Sequence, residues 1–249
     1  MAPSRLDEPS ERSGARFGAR ALLLAAALVL IAVPFALLLL LVEDRWRPLA
    51  AADGGARDSL HTYALSHPGF ATGMQVISDS GSALAWQLIF AVVVLWLLWR
   101  RRFRLALFVA VTAVGSSLLN TVVKGAVHRA RPVVNQPLVH EPGLSFPSGH
   151  AQAAIVGYAV LLLVFVPLLS GIRRRVAVLV AVLMVAAIGF SRVALAAHYV
   201  SDVLAGYVLG AAWVAAMTAL FSVWRVERGQ APVDPSEGLE PEQGNHVAA

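Results

Sequence analysis

His198 and Asp202 stand four residues apart in the stretch SRVALAAHYVSD. On a helix that spacing sets both side chains on one face. A carboxylate that holds one ring nitrogen fixes the imidazole tautomer and leaves the other nitrogen's lone pair free to attack an electrophile. A second histidine, His150, follows Pro147-Ser148-Gly149 at the opening of a long apolar run. Ser148 is a natural N-cap, and the free N–H groups after it form an anion site with the helix dipole behind them. Gly149 has no side chain, so a ligand oxygen can approach the backbone there. The dipole disfavours an imidazolium at this position, so something negative belongs beside His150. With no carboxylate near it in sequence, His150 suits the donation of a proton to a departing oxygen. Lys124, Arg131 and Arg192 supply fixed positive charge; the arginine fork matches phosphate oxygens and lysine acts as a point charge. This set describes phosphoryl transfer through a phosphohistidine, with charge stabilised by side chains in place of a metal.

Positioning these residues falls to a very apolar chain. Of its 249 residues 58% are hydrophobic and 14% charged, with a mean hydropathy of +0.69. A soluble domain carries about a quarter charged residues, so the composition is that of a membrane protein. Six apolar runs are readable: Ala21 to Val42, Ala83 to Trp99, Leu105 to Val123, Ala151 to Leu169, Val176 to Ala197 and Val203 to Trp224. Runs of about 20 residues cross a hydrocarbon core of roughly 30 Å. The expected fold is therefore all-α, a polytopic six-helix membrane bundle over residues 21–224. Residues 1–20 and 225–249 are polar, contain proline and read as disordered tails.

Basic residues orient the bundle. Arg12, Arg16 and Arg20 precede the first run, Arg100 to Arg104 separate the second and third, Arg173 to Arg175 the fourth and fifth, and Arg225 and Arg228 follow the sixth. With six spans all four clusters fall on one side, which the positive-inside rule makes cytoplasmic, together with both termini. The three stretches KGAVHRARP, PSGH and SRVALAAHYVSD then meet on the extracytoplasmic side of the cell membrane. Most of the 20 basic residues are spent on topology, so the net charge of +5 does not mark a nucleic-acid reader. With no cysteine, disulfides and thiolate metal sites are excluded, and no cofactor is called for.

Other polar residues read as supporting parts. His128 and Arg129 fit loop packing as well as substrate contact, and His140 and Glu141 read as solvated. Ser116, Ser117, Asn120 and Thr121 suit interhelical hydrogen bonds, and Gly206, Gly210 and the alanines of the last run suit close helix packing. Trp86, Trp99 and Trp224 suit interfacial belts. His61 and His67 read as surface residues, in a segment expected to hold a short surface-lying helical piece between residues 43 and 82.

The three stretches resemble the tripartite signature of the type 2 phosphatidic acid phosphatase family. Six residues separate Lys124 from Arg131-Pro132, Pro147-Ser148-Gly149-His150 is intact, five residues separate Arg192 from His198, and three separate His198 from Asp202. The resemblance covers about residues 80 to 222 and implies a six-helix membrane fold with metal-independent removal of phosphate from a lipid. It implies His198 as nucleophile, Asp202 as its orienting partner, His150 as general acid, and Lys124, Arg131, Ser148, Gly149 and Arg192 as phosphate binders. The family's soluble vanadium-dependent haloperoxidases fit poorly with six spans. The implied partners are the lipid bilayer and a membrane lipid phosphate. Location outside the cell favours undecaprenyl diphosphate, with phosphatidic acid and phosphatidylglycerol phosphate as alternatives. A phosphotransferase or a silent lipid-phosphate binder are the other classes, and the pattern is silent on oligomeric state.

Overall fold

A computed structural model describes residues 33–240. Among them the regular elements are helices: α1 Val33–Glu43, α2 Arg47–Ser66, α3 Pro68–Ser80, α4 Ala83–Trp99, α5 Phe103–Val127, α6 Gly149–Phe165, α7 Gly171–Ala194 and α8 Val200–Glu227. α5, α6 with a 3-10 extension to Leu168, α7 and α8 are each long and apolar enough to cross a membrane, and α3 and α4, bent by 41° to each other, meet the same test only as a pair. The chain is a multi-pass membrane protein. Six spans were expected from hydropathy; the first run begins outside the described residues, and only its end is seen, in α1.

Local chemistry sets most helix ends. Ser82 accepts from the Ala85 amide at the start of α4, and Ser148 accepts from the Ala151 amide at the start of α6. Both are side-chain caps that satisfy an otherwise orphaned donor. Pro68 opens α3, where its missing N–H costs nothing. α7 stops at Ala194, three residues short of the apolar run. Ala196 turns into the left-handed region at φ 53°, and the amides of Ala197 and His198 both donate to the Arg192 carbonyl, at 3.0 and 3.1 Å. The chain reverses there and delivers His198 back onto the bundle.

The helices pack through small residues. A Cβ on Gly206 would lie 2.6 Å from the Ser148 carbonyl oxygen, and one on Gly210 would lie 2.9 Å from the Ile155 side chain. α8 therefore approaches α6 closely, as small residues permit in a membrane. The core between α4, α5, α6 and α8 is built from Phe90, Leu97, Leu105, Val109, Val156, Val160 and Phe221. Val92, Leu95, Val122 and Val182 are at least 60% exposed on the outer surface, which suits a protein solvated by lipid. Trp86 departs from its expected belt position: only 3% exposed, it packs against Phe90 and Tyr158.

Two segments differ from their sequence reading. Residues 47–80, expected to hold one short surface piece, form α2 and α3, which pack on α7 and α8. His61 is buried within α2, while His67 is exposed. The polar stretch after α8, expected to be disordered, folds back as far as it is described. Leu239 is fully buried and its amide donates to the Leu163 carbonyl at 3.0 Å. Arg225, also buried, donates to the carbonyls of Ala231 and Leu239. Leucine burial and the satisfied guanidinium hold this segment against the bundle's arginine-rich end, where Glu240 pairs with Arg102 and Arg174 bonds the Ser236 carbonyl.

Candidate active site

Four helix ends meet opposite the arginine-rich end: the end of α5 with Lys124, the start of α6, the end of α7 with Arg192, and the start of α8 with Asp202. The irregular segment 128–148 closes over them. Its carbonyls are tied down by the cationic side chains: Lys124 Nζ donates to Leu144 O at 2.5 Å, and Arg131 donates to Gly143 O and Pro142 O, each at 3.2 Å. The Ser145 amide bonds Arg129 O at 2.9 Å and its hydroxyl bonds Ala130 O at 3.0 Å. Basic groups thus hold their own loop in place.

His198 sits at the centre, 1% exposed. Arg131 Nη1 donates to its Nε2 at 3.1 Å. A guanidinium only donates, so Nε2 carries the lone pair and the ring proton is on Nδ1. Nδ1 faces Asp202 Oδ2 at 3.4 Å, an ion-pair separation longer than a tight hydrogen bond. Catalytic hydrogen bonds often run long in unliganded sites. Burial pulls the His198 pKa down to about 4, against the opposing pull of the Asp202 carboxylate. Its imidazole is therefore neutral at neutral pH. His198 itself lies in the turn before α8, so the expected shared helical face is replaced by a turn residue meeting the first turn of the helix.

The remaining expected site residues gather around this ring. Ser148 is buried, and its amide donates to Asp202 O at 2.9 Å, joining the start of α6 to that of α8. Gly149 follows, and a Cβ there would touch only Asn120 Oδ1, at 3.4 Å, so its open side is left to a ligand. His150 lies within electrostatic range of Arg192, Glu141, His198 and Arg131. Lys124 lies in the same range of Arg131 and Arg192. Arg192, 1% exposed, donates to Ser78 Oγ at 2.5 Å and to Glu141 Oε1 at 2.6 Å.

Four participants escaped the sequence reading. Glu141, expected to be solvated, enters the cage: its second oxygen is 4.0 Å from Arg131. Burial pushes its pKa up, but the charge and hydrogen bond of Arg192 outweigh that and hold it below the usual range. Arg129 is more than loop packing. Its Nη1 donates to Asp202 Oδ1 at 2.6 Å and to Ser201 Oγ at 2.7 Å, its Nη2 donates to Asp53 Oδ2 at 2.9 Å, and its guanidinium stacks 4.3 Å from the Tyr199 ring centroid. Asp53, 1% exposed on α2, accepts in turn from the Ser201 amide at 2.9 Å and from the Ser201 hydroxyl. Ser78 comes from α3. No spacing signal ties Asp53 or Ser78 to the site; Arg129 and Glu141 were visible only as charges in a proline-rich loop.

Below the cage a cavity of about 600 Å³ opens between α4, α5 and α6, with Gly149 and His150 at its head. Most of its wall is apolar, formed by Phe90, Val94, Ala110, Val114 and Val156 among others. Ser116, Ser117, Asn120 and Thr121 line it as well; Ser116 and Asn120 bond to Gln152 of α6, as expected of them, whereas Thr121 bonds the Ser117 carbonyl within α5.

The sequence matches the PAP2 superfamily over residues 104–225. It is 44% identical over 96 residues to phosphatidylglycerophosphatase B of Bacillus subtilis, covering 37% of this chain and 46% of that protein. It is 34% identical over 122 residues to the lipid A 1-phosphatase of Rhizobium johnstonii, covering 44% of each chain. These matches span less than half the length of either relative. The fold resembles the crystal structure of a transmembrane PAP2 type phosphatidylglycerolphosphate phosphatase from Bacillus subtilis, with a TM-score of 0.68 and 26% identity over 78% of this chain and 94% of that one. Through residues 104–225, which carry the caged histidine and its cations, the chain belongs to the PAP2 superfamily.

Proposed function

We propose that this protein is an integral-membrane lipid phosphate phosphatase that works through a phosphohistidine on His198 without a metal ion. The observation that carries this reading is the contact of Arg131 with the unprotonated Nε2 of His198, opposite an Asp202 carboxylate on the other ring nitrogen. A lone pair held against a guanidinium is where a phosphorus atom belongs once Arg131 exchanges the ring for a phosphate oxygen. Lys124, Arg192, the Ser148 hydroxyl and the backbone N–H of Gly149 take the remaining oxygens, and Glu141 gives up Arg192 to the incoming phosphate.

The chemistry follows from that pose. Nε2 attacks phosphorus as the bond to the lipid oxygen breaks, and His150 gives that oxygen its proton. His150 then takes a proton from water, whose oxygen displaces Nε2 and releases inorganic phosphate. Asp202 stabilises the charge that builds on the ring. The cations of the cage offset the equatorial oxygens throughout, the task a divalent ion performs elsewhere.

The apolar cavity below His150 supports a lipid substrate, with the tail held between helices while the phosphate reaches the cage. The arginine clusters support a six-span chain with cytoplasmic termini and the cage on the outer face of the cell membrane. Of the tails considered, the names of the relatives favour a glycerophospholipid monoester over undecaprenyl diphosphate.

Phosphate release by the purified protein, on diphosphate and monophosphate lipids with and without a chelator, tests this reading. Wild-type protein is expected to release phosphate equally well with chelator, and His198→Ala to lose at least about 10³-fold while still inserting. A strict need for a divalent ion contradicts the metal-free mechanism, retained turnover in the variant contradicts the nucleophile, and transfer to another acceptor makes it a phosphotransferase.

A further inference from the structure

Arg192 enters the cage from the last turn of α7 and is held there by two acceptors of different kinds. Nη2 donates to Glu141 Oε1 at 2.6 Å, a carboxylate that gives way to phosphate in the mechanism above. Nη1 donates to Ser78 Oγ of α3 at 2.5 Å, and both residues are buried. A serine hydroxyl carries no charge. It orients the guanidinium and leaves the positive charge available to an anion, which a carboxylate at the same place would cancel. Fixing one amine also removes rotations that a long arginine side chain otherwise keeps.

The sequence of α3 places that hydroxyl. Ala71, Gln75 and Ser78 recur at helical spacing and so share one face. Gln75 Nε2 donates to Leu138 O at 3.0 Å, which ties this face to the loop over the cage. At the end of α3 a Cβ on Gly81 would lie 2.4 Å from the Ile188 side chain, so a glycine lets α3 approach α7 this closely. Ile188 stands one turn before Arg192 on α7, and the approach brings Ser78 within reach of the guanidinium. α3 itself lies outside residues 104–225. We propose that Ser78 is a positioning residue of the phosphate site: by holding Nη1 it keeps Nη2 of Arg192 directed at the phosphate once Glu141 has left. The proposal rests on the phosphatase reading above and adds to it a residue of α3.

Calorimetric titration of the purified protein with orthovanadate, beside phosphate release from a diacylglycerol phosphate, tests this. Ser78→Ala is expected to weaken vanadate binding about tenfold, with kcat/KM falling by a similar factor and the number of binding sites unchanged. Ser78→Thr, which keeps the hydroxyl, should stay within about threefold of wild type in both measurements. Ser78→Cys, close to serine in size and a weak acceptor, should fall between the two, and it decides the matter if Ser78→Ala does not fold. Fewer sites at unchanged affinity would mean that Ser78 serves the fold alone, and would overturn the proposal. Wild-type affinity and rate in Ser78→Ala overturn it as well, as does a Ser78→Thr that loses as much as Ser78→Ala. Vanadate binding without phosphate release from any lipid overturns the phosphatase reading, and the role of Ser78 in it.

Discussion

The mechanism proposed for His198 needs a neutral imidazole, and burial is what keeps it so. With its pKa pulled to about 4, the ring should take up a proton only near pH 4, well below the 6.5 of a free imidazole. An NMR titration of the His198 ring without substrate checks this, free of the substrate phosphate's own ionisation at about pH 6; a midpoint at 6.5 would mean that the ring is solvated. The same shift affects stability, with a definite sign. Between pH 6.5 and about 4 the unfolded chain binds a proton at this residue that the folded one does not, so folding weakens as pH falls through that window. The residues that gather in the cage were readable before any fold because the three-part motif fixes their types and spacing. The charges that balance them were not. Asp53 and Glu141 are recognisable only from what Arg129 and Arg192 touch.

At the scale of the elements, the site depends on contacts between helices distant in sequence. α2 reaches the site through Asp53, which holds Arg129 and Ser201, and Arg129 holds the carboxylate that faces His198. Arg129→Ala should lower kcat by about 10–100-fold with little change in KM, since the residue positions Asp202 and does not face the phosphate. Steady-state kinetics separates the two, and a rise in KM alone would make Arg129 a substrate ligand. Asp53→Ala should reproduce the effect and destabilise the fold by about 1–3 kcal/mol, because it leaves Arg129 Nη2 and the buried Ser201 amide without their acceptor while Arg129 keeps Asp202. The α6–α8 contact makes a separate demand. Gly206→Val places a Cβ against the Ser148 carbonyl, so thermal unfolding should show a loss of about 1–3 kcal/mol, with activity falling as the start of α6 is displaced. Helix boundaries within the apolar runs were readable to within five residues, because run length and composition are local. α2, α3 and the turn that closes α7 were not. The first two carry mixed polarity, and the last is set by Ala196 in a conformation that no alanine announces.

Across the whole molecule, arginine-rich turns occupy one end of the bundle and the cage the other, so catalysis and topology are the same question. A single cysteine at Gln136, in the exposed loop over the cage, should be modified from outside intact cells by an impermeable thiol reagent, whereas one at Arg101 should react only after lysis. The reverse pattern would put the cage in the cytoplasm. The more demanding requirement is that residues far apart in the chain surround one phosphorus atom. A structure of the protein in lipid nanodiscs with orthovanadate, a trigonal-bipyramidal mimic of the transferring phosphoryl group, tests this directly. The expected result is vanadium bonded to Nε2 of His198, Arg131 turned from the ring onto a vanadate oxygen, and Lys124, Arg192 and the start of α6 around the others. Vanadate bound elsewhere in the bundle, or a His198 ring still held by Arg131 at saturating vanadate, would contradict it.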